Sequence, residues 1–175
     1  MSFLSRLLGT GPDPRADLLP LWHRVVELSR TPAFYAQHHV ADTVDGRFDM
    51  VTTLLAITML RMEQSPALAA RCSLLTELFV EDMDGQLRES GLGDVVVGKH
   101  MGKLMSALGG RLGALRDALA SADPAAAVAQ AVKRNTHWRE EGAGDAAGLA
   151  AWLLAFRQTL ADTPDDELAA GRIDV

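Results

Sequence analysis

Residues 78–108 read LFVEDMDGQLRESGLGDVVVGKHMGKLMSAL, and this stretch is predicted to organise the chain. In its first half, apolar residues recur near the 3.6-residue period of a helix: Leu78, Phe79, Met83 and Leu87. Ser90-Gly91 is predicted to end this helix, since glycine adopts the left-handed C′ conformation without a steric penalty. Asp94 can cap a second helix, whose apolar face continues at spacings of three and four: Val97, Met101, Leu104, Leu108, Leu112, Leu115 and Leu119. The stretch therefore predicts a helical hairpin.

The composition limits the class of protein. A chain of 175 residues can bury enough surface to fold as one domain without covalent staples. Its one cysteine, Cys72, excludes an internal disulfide and is predicted to be a core thiol. A net charge of -6 disfavours broad or specific nucleic-acid binding, although it leaves room for a local basic patch. The longest apolar run, from Phe48 to Leu60, is shorter than the roughly 20 residues that a membrane-spanning helix needs.

Residues 1–14 are predicted to form a flexible N-terminal tail, and residues 15–175 a single all-α domain. The tail begins MSFLSRLLGTG, which lacks the long apolar region of a signal peptide. Two interpretations stay open for it: a partly ordered tail, or a short amphipathic turn that touches a membrane surface. The expected location is cytoplasmic, with a peripheral position at the inner membrane as the alternative.

Helix boundaries are marked by capping residues and first-turn prolines along the whole chain. The predicted helix starts are Asp17, Thr31-Pro32, Arg47, Ser65-Pro66, Asp123-Pro124, Asp145 and Thr163-Pro164. Gly109-Gly110 indicates a kink or close packing, because each glycine costs about 1 kcal/mol in a helix relative to alanine. No segment of useful length alternates at period two. The predicted fold is all-α, a single irregular bundle of about seven helices.

The segment HVADTVDGRFDM, residues 39–50, is predicted to begin as a loop and end as a helix. Gly46 is predicted to permit a tight turn before a helix from Arg47 to about Met62. The carboxylates of Asp42, Asp45 and Asp49 invite a metal-site interpretation, but they do not match a calcium loop and no zinc-type histidine pair is in register. Caps and an ion pair with Arg47 are the favoured interpretation, so no metal and no cofactor is predicted.

Catalytic motifs are not apparent. The sequence contains no nucleophile elbow, phosphate-binding loop or HExxH motif. Met101 and Met105 lie one turn apart near His100, a pattern that is more typical of core packing than of a haem or copper site. We therefore expect a protein without enzymatic activity. The alternative is a small metal- or haem-binding enzyme or carrier.

Charge is unevenly distributed around the predicted hairpin. Acidic residues dominate from Glu77 to Asp94, whereas the stretch from Lys99 to Arg116 carries four basic residues and no acidic one. These bases are Lys99, Lys103, Arg111 and Arg116. One interpretation pairs the two helices through exposed salt bridges, each contributing about 0.2 to 1 kcal/mol. The other makes the basic helix an outward docking strip for an acidic or phosphate-rich partner.

Several unusual strings occur in a fixed order over about residues 20 to 160. They are Phe34-Tyr35, Val40, DTVDGRFDM at 42–50, DMD at 82–84, LRESGLGD at 87–94, VGK at 97–99, Gly110-Arg111 and Arg134-Asn135. Together they resemble the signature of the ubiquinol-cytochrome c chaperone family.

This resemblance implies an assembly factor, with no reaction of its own, for the membrane-bound ubiquinol-cytochrome c reductase. The implied client is newly made cytochrome b or another reductase subunit, and the ribosome and the membrane surface are further implied partners. An interaction subunit with an unrelated client is the remaining alternative. Candidate partner-binding residues are Asp42, Asp45, Arg47, Asp82, Asp84, Arg88, Glu89, Asp94, Lys99, Lys103 and Arg111.

Overall fold

The computed structural model describes residues 13–89, 94–140 and 144–175, without the side chains of residues 87–89, 94–97 and 99. The regular secondary structure of this part of the chain is helical, apart from one antiparallel bridge between Val40 and Trp138. Within the described residues, a 3-10 turn over Ala16–Leu18 precedes nine α-helices. They are α1 (Leu19–Ser29), α2 (Pro32–Ala36), α3 (Val44–Glu63), α4 (Pro66–Ala69), α5 (Cys72–Glu89), α6 (Asp94–Leu119), α7 (Pro124–Asn135), α8 (Ala146–Asp162) and α9 (Asp165–Ala169). The all-α prediction is confirmed.

Helix α3 forms the centre of the bundle. It packs against α1, α4, α5, α6 and α8, and every residue from 52 to 60 is buried. A helix that is buried on all sides belongs to a core, and this explains why the sequence has its longest apolar run here. The prediction that residues 78–108 organise the chain is therefore wrong. Helices α5 and α6 do contact each other, but both pack onto the flank of α3.

Aromatic rings join helices around this centre to one another. Phe34 lies edge-on to Trp152 with ring centroids 4.6 Å apart, and Trp152 stacks on Phe156 at 5.4 Å. On the opposite side, Trp22 of α1 meets Phe79 of α5 at 6.0 Å. Edge-to-face and offset-stacked pairs contribute about 0.5 to 1.5 kcal/mol beyond their area burial. These pairs fix α2 onto α8 and α1 onto α5.

Several predicted caps are confirmed. The side chains of Ser65, Asp123 and Asp145 accept hydrogen bonds from Ala67 N, Ala126 N and Gly148 N. Asp17 is not a cap, because a 3-10 turn leads directly into α1 and its N-cap residue is Leu18. Thr31 occupies the N-cap position of α2, but its hydroxyl donates to Leu28 O instead.

Two predicted boundaries differ from the structure. Helix α3 begins at Val44, with Thr43 as its cap, so Gly46 lies within the first helical turn. The helix predicted from Ser65-Pro66 is divided into α4 and α5 at residues 70–71. The predicted corner at Ser90-Gly91 and the tail over residues 1–12 lie outside the described residues.

Glycines in α3 and α6 have different surroundings. A Cβ atom on Gly46 would lie 2.0 Å from the carbonyl oxygen of Ala41, so this position requires glycine for a close backbone approach. At Gly109 and Gly110 an added Cβ would have no neighbour within 4 Å. This open space rules out the close packing that the sequence suggested, and helix α6 runs through both positions.

We expect Gly109→Ala and Gly110→Ala each to raise the free energy of unfolding by about 1 kcal/mol, because alanine reduces the backbone entropy of the unfolded chain and meets no obstacle. The matched change Gly46→Ala should lower it by about 1 to 3 kcal/mol through collision with Ala41. Urea denaturation followed by circular dichroism measures all three. Equal effects at the three sites would contradict this assignment.

No helix among the described residues combines the length and apolarity that crossing a bilayer requires.

Candidate partner-binding surface

A buried ion pair lies beneath the surface that carries the signature residues. The Arg111 guanidinium of α6 contacts the Asp49 carboxylate of α3, and both side chains are less than 10% exposed. Arg111 Nη1 donates to Thr52 Oγ1 at 2.5 Å, while Nη2 also donates to the Asn135 carbonyl oxygen. The Phe48 ring lies 5.8 Å from the guanidinium carbon, within cation–π range.

The second carboxylate oxygen of Asp49 holds the segment after α7. It accepts a 2.7 Å hydrogen bond from the backbone N–H of His137 and lies 2.7 Å from His137 Nδ1. The carboxylate therefore joins α3, α6 and the turn after α7 at one point. This point brings together three strings of the signature, at residues 42–50, 110–111 and 134–135.

Burial and the Asp49 carboxylate shift the pKa of Arg111 in opposite directions. Desolvation lowers the pKa of Arg111 below its ordinary value, and the charge and hydrogen bond of Asp49 oppose that shift. Arg111 Nε is also buried and has no hydrogen-bond partner in the described part of the chain. A buried ion pair contributes little net stability, but removal of one partner leaves an uncompensated charge that costs about 3 to 5 kcal/mol.

We expect Asp49→Ala to lower the free energy of unfolding by about 3 to 5 kcal/mol, because the Arg111 cation would stay buried without its partner. The double variant Asp49→Leu with Arg111→Met removes both charges and should lose much less. Urea denaturation and a double-mutant cycle provide the comparison. The single variants of this cycle are Asp49→Leu and Arg111→Met. A double variant that loses as much stability as these two variants lose together would contradict coupling between the charges.

Backbone hydrogen bonds join two loops next to this network. Ala41 N donates to His137 O at 2.8 Å, and Arg139 N donates to His39 O at 2.8 Å, so residues 39–41 run antiparallel to residues 137–139. His39 adopts a φ of 60°, which turns the chain sharply before the bridge. His38 Nδ1 lies 2.8 Å from the Asp145 carboxylate at the start of α8. The loop before α3 is thereby held in place.

An open cleft of about 420 Å³ lies above the loop before α3, and we name it the arginine cleft. It is lined by Arg30, Pro32, Tyr35, Ala36, Asp42, Arg47 and Arg139. Arg47 Nε donates to Asp42 Oδ1 at 2.7 Å, and Arg139 Nη2 donates to the Tyr35 carbonyl oxygen. The predicted ion pair of Arg47 is confirmed.

A larger groove of about 920 Å³ lies between α1 and α5, and we name it the α1–α5 groove. Its apolar lining includes Leu19, Trp22, Val26, Leu78 and Val175. Leu19 and Val175 are two of the large apolar residues that the structure leaves exposed, at 38% and 57%. Acidic and basic side chains line it as well: Asp13, Arg15, Arg24, Glu27, Arg30, Glu81 and Asp82.

The predicted partner-binding residues do not form one patch. Asp42, Asp45, Arg47 and Lys103 are exposed, whereas Asp82 and Asp84 are half-buried on α5. Asp42 and Arg47 share the arginine cleft, and Asp82 lines the α1–α5 groove. The side chains of Arg88, Glu89, Asp94 and Lys99 lie outside the description.

The structure corrects the prediction that Arg111 binds a partner. It is buried, so it belongs to neither an outward docking strip nor a partner surface. Its acidic partner is on α3, as is the partner of Arg116, whose Nη2 lies 2.8 Å from the Glu63 carboxylate. The hypothesis that the bases of α6 pair with the acids of α5 is therefore wrong for both arginines.

Asp49, Thr52 and His137 were not predicted as parts of a common network. A signal was available, because Asp49 and Thr52 interrupt the longest apolar run of the chain and a polar group in such a run needs a buried partner. Elsewhere in the described residues, no three His, Cys, Asp or Glu side chains converge in a way that could hold a metal ion. Cys72 is half-buried, and burial raises the pKa of its thiol.

The sequence profile described as "Ubiquinol-cytochrome C chaperone" matches residues 36–175. The chain belongs to the ubiquinol-cytochrome c chaperone family. Within the match lie both residues of the buried ion pair and the His137 segment. The resemblance of the signature strings to this family is confirmed.

The likeness to one solved structure covers nearly the whole chain. The crystal structure of the Cbp3 homologue from Brucella abortus is 35% identical in sequence, with a TM-score of 0.79. The alignment covers 99% of this chain and 96% of that protein, so helix α1 and the α1–α5 groove lie within the shared fold. No curated protein matches the chain.

Proposed function

We propose that this chaperone-family protein assists assembly of ubiquinol-cytochrome c reductase by binding an apolar segment of newly made cytochrome b in the α1–α5 groove. The observation that carries the assembly role is the family match over residues 36–175. On this proposal the protein works from the cytoplasm at the periphery of the inner membrane. It holds its client without transforming it.

The groove has the chemistry that such a client needs. Apolar side chains line its walls, and burial of an apolar client surface contributes about 25 cal/mol per Å². Some of the charged groups on its rim are paired, Arg15 with Glu81 at 2.7 Å and Arg24 with Glu27 at 2.9 Å. Charges placed in this way favour one orientation of a bound segment.

We expect Leu19→Glu to weaken capture of an apolar cytochrome b segment by about tenfold or more, because the variant places a charge against the bound client. Binding of a fluorescent cytochrome b peptide to the full chain, measured by anisotropy, provides the readout. Leu19 is 38% exposed in the free protein, so the fold should tolerate the change.

Val44→Glu is the matched control, since Val44 is 84% exposed and lies outside the groove lining. It makes the same change in charge and should leave capture unaltered. Equal weakening by the two variants would assign the effect to net charge and would reject the groove as the binding site. In cells, deletion of the gene should lower the b-type cytochrome spectrum, and normal reductase levels would reject the assembly role.

The basic residues at the start of α6 provide a separate prediction about the ribosome. Lys103 is exposed, and Lys99 lies one turn before it on the same helix. The double variant Lys99→Glu with Lys103→Glu should reduce co-sedimentation with ribosomes and leave helicity intact, because it reverses a phosphate-binding charge. Unchanged co-sedimentation across a salt titration would remove the docking-strip hypothesis.

A further inference from the structure

The arginine cleft differs in charge from the rest of the molecule. Three arginines and a single aspartate line it, whereas the whole chain has a net charge of -6. A concave site with one dominant charge focuses the electrostatic potential and attracts oppositely charged ligands. The cleft is thus a basic site on an acidic protein.

The three arginines differ in which of their hydrogen-bond donors are used within the protein. Arg30 is exposed and forms no ion pair within the described residues. The Arg47 side chain is 61% exposed, and its bond to Asp42 uses only Nε. Arg139 uses Nη2 to reach the Tyr35 carbonyl oxygen. Each guanidinium therefore keeps donors for a ligand in the cleft.

Tyr35 lies in the cleft with Arg30 and Arg47. Burial raises the pKa of the Tyr35 phenol; the charge of Arg47 lowers it, that of Asp42 raises it and that of Arg30 lowers it. The phenol donates to Ser29 O at 2.9 Å, which ties the floor of the cleft to the end of α1. Arg30 and Arg47 thus line the cleft together with a tyrosine side chain that is held in place by its hydroxyl.

We propose that the arginine cleft binds the phosphate of an anionic phospholipid headgroup and so orients the chaperone at the membrane. A guanidinium presents its donors in a planar fork that matches phosphate oxygens, and two or three guanidiniums can share one phosphate. The volume of about 420 Å³ admits a glycerophosphate headgroup.

A lipid fits the cleft better than RNA does. Tyr35 is half-buried and held by its hydroxyl, so its ring is not a free platform for base stacking. The cleft is a single basic site, whereas RNA binding requires a basic track along several phosphates. Arg30 and Pro32 line both the cleft and the α1–α5 groove, so a lipid bound in the cleft would lie beside the client segment. The placement of the lipid beside the client segment rests on the proposed function.

The test is co-flotation of the full chain with vesicles of phosphatidylcholine containing phosphatidylglycerol, compared with pure phosphatidylcholine. We expect binding to the anionic vesicles alone. Arg30→Ala should reduce partitioning about fivefold and Arg30→Glu about thirtyfold, since each unit of charge near an anionic surface contributes about that factor. Arg30 has no ion pair in the described fold to lose, so both variants should stay folded, as circular dichroism would verify.

Arg157→Glu is the matched control, because Arg157 is an exposed arginine of α8 outside the cleft. It should reduce partitioning much less than Arg30→Glu. Equal losses in the two variants, or equal binding to both kinds of vesicle, would overturn the proposal. RNA binding that depends on Arg30, without vesicle binding, would overturn the lipid assignment in favour of a nucleic acid.

Client capture in detergent, without vesicles, separates this proposal from the assembly role. We expect Arg139→Ala, at a residue that lines the cleft but not the groove, to capture the cytochrome b peptide normally while binding anionic vesicles more weakly. Vesicle binding that depends on Arg30, in a protein that captures no client, would reject the proposed function and leave the lipid site standing. Client capture without vesicle binding would reject the lipid site alone.

Discussion

The contact between Arg111 and Asp49 is the constraint on which the arrangement of the exposed loops depends. The two residues are 62 positions apart in the chain, and their charges meet in a region from which water is excluded. Because the pair has to satisfy its remaining hydrogen bonds, it recruits Thr52, the Asn135 carbonyl and His137. Buried ionic groups contribute more to the geometry of a fold than to its net stability. Here that geometry positions the loop before α3 and the turn after α7.

Two adjoining surfaces of the protein have different chemistry. The α1–α5 groove has an apolar lining with charges on its rim, and the arginine cleft is cationic with unused donors. They meet at the corner between α1 and α2, where Arg30 and Pro32 belong to both. A client that enters a membrane has an apolar segment and lies next to headgroups. The adjoining surfaces suit these two environments.

Local features of the sequence predicted the local structure well. The all-α class and the caps at Ser65, Asp123 and Asp145 depend on neighbouring residues, and the structure confirms them. Helical periodicity cannot distinguish a helix that is buried on all sides from an irregular apolar run, so the sequence pattern places the centre at residues 78–108 instead of α3. The partner of Arg111 is distant in sequence, and no local pattern predicts it. The sequence marks Gly46 as a turn residue, whereas its close approach to the Ala41 carbonyl depends on how the loop before α3 folds back on the first helical turn.

Helix α6 contains five glycines, and an added Cβ would meet nothing at any of them: Gly98, Gly102, Gly109, Gly110 and Gly113. Such a helix has little intrinsic tendency to form, so its persistence depends on the side that packs against α3 and α7. Local opening should let deuterium replace the backbone amide protons of α6 well before it reaches those of α3, where every residue from 52 to 60 is buried.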